Sequence, residues 1–136
     1  MARKRETPCC TPKPELTARP LLSPRQAAGL EATFKVLGNA TRLRMLHVLV
    51  RSGELCVGDI AEAVSMKHQA VSNQLQRLSD RGILEARREG LQVYYRIVDP
   101  CVVSLLDRAW CLAEDSKARR AAGRVPVGFE QEGASA

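Results

Sequence analysis

Five cysteines stand in the chain, Cys9 and Cys10 side by side, then Cys56, Cys101 and Cys111, and their thiols are the groups here best able to do chemistry. Their number is odd, and Met1-Ala2-Arg3-Lys4-Arg5 is followed by Pro and Cys where a secretory signal would carry its apolar stretch. Both features argue against a disulfide framework and for reduced thiols, as metal ligands or redox groups, in a cytoplasmic protein. Adjacent Cα atoms lie about 3.8 Å apart, so Cys9 and Cys10 can chelate one large soft ion if the chain turns between them. Cys101 and Cys111 are separated by about 15 Å along one predicted helix, too far to grip the same ion within a chain. Across an antiparallel dimer they could do so. The two histidines, His47 and His68, fall in different predicted helices. No Ser-His-Asp or Cys-His arrangement is suggested by the residue order, and the chain is not read as an enzyme.

A second group of residues suits a polyanion. Lys67, His68, Gln69, Ser72, Asn73, Gln76 and Arg77 occupy a predicted helix whose opposite face is apolar, and few carboxylates stand among them. Gln69 and Asn73 can read base edges, Ser72 can bind bases or phosphate, and Lys67 and Arg77 suit phosphates. Arg87, Arg88 and Tyr94 follow on a predicted hairpin, placed for the backbone or the minor groove. A formal net charge of +6 and a pI of about 9.4 favour a polyanionic partner. Aromatic residues make up only 4% of the chain, too few for the stacking platforms that hold single strands, so duplex DNA is the expected partner. Apolar runs such as Met45 to Val50 end far short of the roughly 20 residues that span a bilayer, and no membrane role is expected.

The elements that must position these groups can be traced by period and punctuation. Residues 1–23 hold Pro8, Pro12, Pro14 and Pro20 among basic residues and read as a flexible basic arm carrying the cysteine pair. Ser23-Pro24 opens a helix with Leu30, Phe34 and Leu37 on one stripe, ended by Gly38. Thr41 is the expected cap of a buried second helix with Leu43, Leu46 and Leu49 or Val50 on one face. Val57 to Val64 and a helix bearing Val71, Leu75 and Leu78 are separated by Ser65-Met66-Lys67, which reads as helix-turn-helix. Ile83 to Arg88 and Gln92 to Val98 form a β-hairpin around Glu89-Gly90-Leu91. Asp99-Pro100 starts a last helix with Val102, Leu105 or Leu106, Ala109 and Leu112 or Ala113 on its stripe. The expected fold is mostly α with a β-hairpin: a winged helix-turn-helix over 24–122, followed by a tail, 123–136. The stripes on the terminal helices predict a homodimer, and its two-fold axis an operator that is an imperfect inverted repeat.

Three segments, Glu54-Leu55-Cys56-Val57-Gly58-Asp59-Ile60-Ala61, Ala70-Val71-Ser72-Asn73-Gln74-Leu75 and Gly90-Leu91-Gln92-Val93-Tyr94-Tyr95, resemble the metal-sensing repressors of the ArsR/SmtB family in order and spacing. The resemblance runs from about Leu30 to Asp115. It implies a homodimeric bacterial repressor that sits on its operator until a metal or metalloid ion binds and weakens the DNA complex. The family's zinc-type site uses carboxylates and histidines of the last helix; here Asp99 and Asp115 keep carboxylates, while Cys101 and Leu112 stand at the histidine positions, so that site is not expected. Sensors for arsenite, cadmium or lead in the family often use the cysteine matching Cys56, sometimes with a second two residues later, which here is Gly58. Some arsenite sensors join it to a vicinal pair near the N-terminus, which implies a Cys9, Cys10 and Cys56 site. Three thiolates suit soft ions, and Cys56 lies near a helix start that favours a thiolate. Arsenite is the expected inducer, with cadmium, lead or mercury as alternatives, and no organic cofactor is expected. Cys101, at a family ligand position, and Cys111 are outside candidates; beside Trp110, Cys111 is read first as packing. A redox switch, in which Cys9 or Cys10 forms a disulfide with Cys56, is the other reading.

Overall fold

The computed structural model describes residues 12–123. The expected ligands Cys9 and Cys10, and the tail from Arg124, lie outside them. Two units part at Pro100, Met1–Pro100 and Cys101–Ala136. In the first, Ser23 caps helix α1 (Pro24–Leu37) through a capping box: its hydroxyl accepts from the Gln26 backbone N–H at 3.1 Å while the Gln26 side-chain Oε1 accepts from Ser23 N–H at 2.9 Å. Helix α2 (Ala40–Ser52) is capped by Asn39 rather than Thr41. Asn39 has an extended backbone, and its Oδ1 accepts from the Arg42 backbone N–H at 3.0 Å, leaving Thr41 inside the first turn. The inward face of α2 also differs from expectation. Met45, Leu46 and Leu49 are buried, whereas Leu43 and Val50 are exposed.

A three-residue strand β1 (Glu54–Cys56) leads directly into helix α3 (Val57–Val64), and helix α4 (His68–Asp80) follows. The break between the two helices turns on Ser65, which holds the left-handed conformation with φ 56° and ψ 46°. Its N–H and that of Met66 satisfy the last carbonyls of α3, including Met66 N to Ala61 O at 3.0 Å. This reversal lets Ile60 and Val64 of α3 meet the same core as Val71, Leu75 and Leu78 of α4, all five buried. Burying each such side chain contributes about 1.5–3 kcal/mol. The expected apolar stripes of both helices are therefore the ones that pack.

Strands β2 (Leu84–Glu89) and β3 (Gln92–Ile97) form the hairpin. Gly90, with φ 61°, takes the first central position of a two-residue turn of the primed kind. β1 adds to the other side of β3, so the hairpin is part of a three-stranded antiparallel sheet ordered β1-β3-β2. Leu84 and Tyr95 bury one sheet face in the core. Burial, and after it the charge of Asp80, pushes the Tyr95 phenol above its ordinary pKa. The second unit contains most of helix α5 (Pro100–Ala121), in which no residue is buried and Trp110 and Leu112 stand exposed. Among the described residues, no helix is long and apolar enough to cross a membrane.

Candidate functional site

Because Val71, Leu75 and Leu78 turn inward, α4 presents its remaining residues outward. Lys67, which precedes the helix, and His68, Gln69, Asn73, Gln76 and Arg77 are exposed, and Ser72 is half-buried. The side-chain amides are not equivalent. Gln69 Nε2 donates to Asn73 Oδ1 at 3.0 Å, and Gln76 Nε2 donates to Asp80 Oδ1 at 2.9 Å. Gln74 instead accepts at 2.7 Å from Nε of Arg42, whose Nη1 donates to the Val36 carbonyl at 3.0 Å. Arg42 thus ties the C-terminal end of α1 and the start of α2 to the polar helix. Sequence reasoning missed it, since one arginine among the charged residues of α2 carries no signal of a partner 32 positions away.

On the sheet, Arg87 of β2 and Cys56 of β1 both stand opposite Tyr94 of β3, one row across three strands. The Arg87 guanidinium lies over the Tyr94 ring, 4.8 Å from its centroid. It pairs with Glu54 at 2.6 Å and with Glu89 at 2.7 Å. Arg96 pairs with Glu85 two rows along the sheet. The Arg87 hydrogen bond holds the Glu54 carboxyl below its usual value; desolvation opposes it, and the charges of Arg87 and Arg96 add to the lowering. Hydrogen bonds to Glu54 and Glu89 raise the Arg87 guanidinium further above its already high value. Of the expected wing contacts, Arg87 is therefore engaged with two carboxylates, Tyr94 lies beneath it, and Arg88 is exposed and forms no ion pair among the described residues.

The thiols are dispersed. Cys56 ends β1, serves as the N-terminal cap of α3 and is only 8% exposed. Cys101 and Cys111 are exposed on α5, and the Cys111 thiol lies 3.6 Å from Asp115 Oδ2. The packing role expected for Cys111 is not one of burial within this chain. Among the described residues, no three His, Cys, Asp or Glu side chains are gathered to hold a metal ion. Their chemistry nevertheless fits a soft ion, provided ligands are added from the arm or from a second subunit.

A family model described as MarR family matches residues 39–91, from the cap of α2 through the hairpin turn. The cadmium resistance regulatory protein CadC homolog of Staphylococcus aureus is 38% identical over 77 residues, 57% of this chain and 64% of its own length. The arsenic resistance regulator ArsR1 of Pseudomonas putida is 42% identical over 64 residues, 47% of this chain. The chain spans only half the length of that relative. Among solved structures, the AntR antimony-specific transcriptional repressor superposes with a TM-score of 0.69 at 55% identity, over 80% of this chain and 98% of that one.

Proposed function

The chain belongs to the ArsR/SmtB family of transcriptional repressors, and from that premise we propose that it binds duplex operator DNA as a homodimer and lets go when a thiophilic ion binds its cysteines. The observation that carries the DNA reading is the polar face of α4, turned outward by a fully buried apolar stripe behind the tight Ser65 turn. The exposed Leu30 and Phe34 of α1, and Trp110 and Leu112 of α5, are the faces proposed to pair with a second copy. The operator is then an imperfect inverted repeat, contacted through Lys67, His68, Gln69, Ser72, Asn73, Gln76 and Arg77, with Arg87, Arg88 and Tyr94 on the wing. The proposed location is the cytoplasm.

The proposed inducer is a trivalent metalloid, arsenite or antimonite, held by Cys9, Cys10 and Cys56. The antimony-specific neighbour and the arsenic-resistance relative support that class; cadmium, lead and mercury are the alternatives. Cys56 joins β1 to α3, pairs with Tyr94 of the hairpin and is buried, so drawing its thiol out to an ion is proposed to disturb the helix-turn-helix entrance. Regulation requires the ion to favour the conformer with low DNA affinity; a coupling of about 1–3 kcal/mol changes affinity roughly 5–150-fold. A second reading, favoured by the exposure of both thiols, places the ion between Cys101 and Cys111 of paired α5 helices.

An anaerobic titration with antimonite and arsenite, following thiolate-to-ion absorption, separates these readings. Loss of the signal in Cys9→Ser/Cys10→Ser supports the arm site. Loss only in Cys101→Ser/Cys111→Ser moves the site to α5. Release of DNA by peroxide but not by ions selects the redox switch instead.

A further inference from the structure

The structure sorts the four side-chain amides of α4 by what they have left to offer a base. Gln74 is turned to Arg42, and Gln76 is held by the Asp80 carboxylate, which repels phosphates. Gln69 and Asn73 remain, both exposed and joined to each other. Gln69 is the second residue of α4, in the N-terminal turn by which recognition helices meet base edges. An amide nitrogen has two hydrogens. One Gln69 Nε2 hydrogen goes to Asn73 Oδ1, which leaves one N–H and the Oε1 acceptor side by side.

We infer that Gln69 reads an adenine in each operator half-site and that Asn73 is its positioning residue, an inference that rests on the DNA-binding function proposed above. Adenine alone offers the complement in the major groove, an N7 acceptor beside an N6 donor. Guanine sets two acceptors there, and its O6 faces the Gln69 oxygen. Cytosine offers a donor without the neighbouring acceptor, and thymine an acceptor without the donor. Guanine opposes the Gln69 oxygen with an acceptor whichever way the amide is turned, whereas adenine is matched in one orientation only; turning the amide over would set its oxygen against N7 and also against Asn73 Oδ1, so the bond between the two side chains holds the orientation that fits adenine. Residues i and i+4 place their Cβ atoms about 5–6 Å apart, so Asn73 reaches Gln69 without leaving the groove-facing side.

The test selects duplexes from a randomised library with the reduced full-length protein, then measures binding to single-position variants of the selected sequence. Wild type is expected to require one adenine per half-site, losing about 5–150-fold when it is replaced by another base or by 7-deazaadenine, which lacks only the N7 acceptor. Gln69→Ala is expected to bind all four bases equally at that position. Asn73→Asp keeps the acceptor for Gln69 and is expected to keep the adenine preference while binding every sequence more weakly; Asn73→Leu is expected to lose most of the preference. A guanine preference, or an adenine preference that survives Gln69→Ala, overturns the inference. Failure of wild type to enrich any duplex overturns the DNA-binding function itself, a distinguishable result.

Discussion

Replacing Arg42 with methionine is expected to destabilise the helix-turn-helix unit by about 2–3 kcal/mol. The substitution keeps the apolar stem of the side chain and removes its guanidinium, which donates to Gln74 Oε1 at 2.7 Å and to the Val36 carbonyl at 3.0 Å. Hydrogen bonds from a charged donor are worth about 1.5–3 kcal/mol each, and the lower end applies because the site is only partly buried. The Val36 carbonyl belongs to the last turn of α1, where the helix dipole adds to its attraction for a cation. Urea unfolding at one fixed protein concentration should show the midpoint falling by about 1–2 M at unchanged slope. A double-mutant cycle with Gln74→Leu isolates the bond to the recognition helix, with a coupling of at least about 0.5 kcal/mol expected. A change in the single variant within about 0.5 kcal/mol, the range of ordinary surface substitutions, would refute the assignment of Arg42 as the tie between α1 and α4.

Three further outcomes are expected. Ser65→Gly should be stabilising by about 0.5–1 kcal/mol in thermal or urea unfolding, because it relieves a left-handed backbone that costs a non-glycine residue about 1–2 kcal/mol; destabilisation would contradict the geometry of the turn. The Glu54 carboxyl is held below its ordinary value of 4.5, so its pairing with Arg87 contributes fully above that pH and is lost as pH falls through the lower folded value. Acid unfolding of Glu54→Gln should accordingly show a weaker pH dependence than wild type, and an unchanged profile would count against the pairing. In DNA binding, Arg88→Ala should reduce the slope of log affinity against log salt by about 0.9, and Arg87→Ala by less, since Arg87 is already paired with two glutamates. Equal reductions would mean that Arg87 leaves its carboxylates on the duplex.

What could be read in the sequence was what local rules decide. Ser23-Pro24 marks a helix start by its own chemistry, and the spacing of Val71, Leu75 and Leu78 names the buried face of α4 without a partner in view. Where two local rules competed, the cap of α2 went to Asn39 over Thr41, because the amide oxygen two residues earlier reaches the Arg42 N–H. Strand β1 is too short to show alternation; pairing with β3, across some forty intervening residues, makes it a strand. Periodicity also marks an apolar face without saying what covers it. The stripe of Leu30, Phe34 and Leu37 is continuous in the sequence, yet only Leu37 is buried within the chain. Long-range polar partners were the least legible: the chain order of Glu54, Arg87 and Glu89 gives no sign that one guanidinium sits between two carboxylates over an aromatic ring.

If ion and DNA compete through one conformational equilibrium, linkage makes the competition measurable from either side. The decisive measurement is the affinity of the reduced, full-length protein for antimonite, with arsenite in parallel, in the absence of DNA and at saturation with a selected duplex. DNA is expected to weaken ion binding by the same factor, about 5–150-fold, by which the ion weakens DNA binding. Equal ion affinity for the free and the DNA-bound protein would mean that the ion does not act on DNA binding.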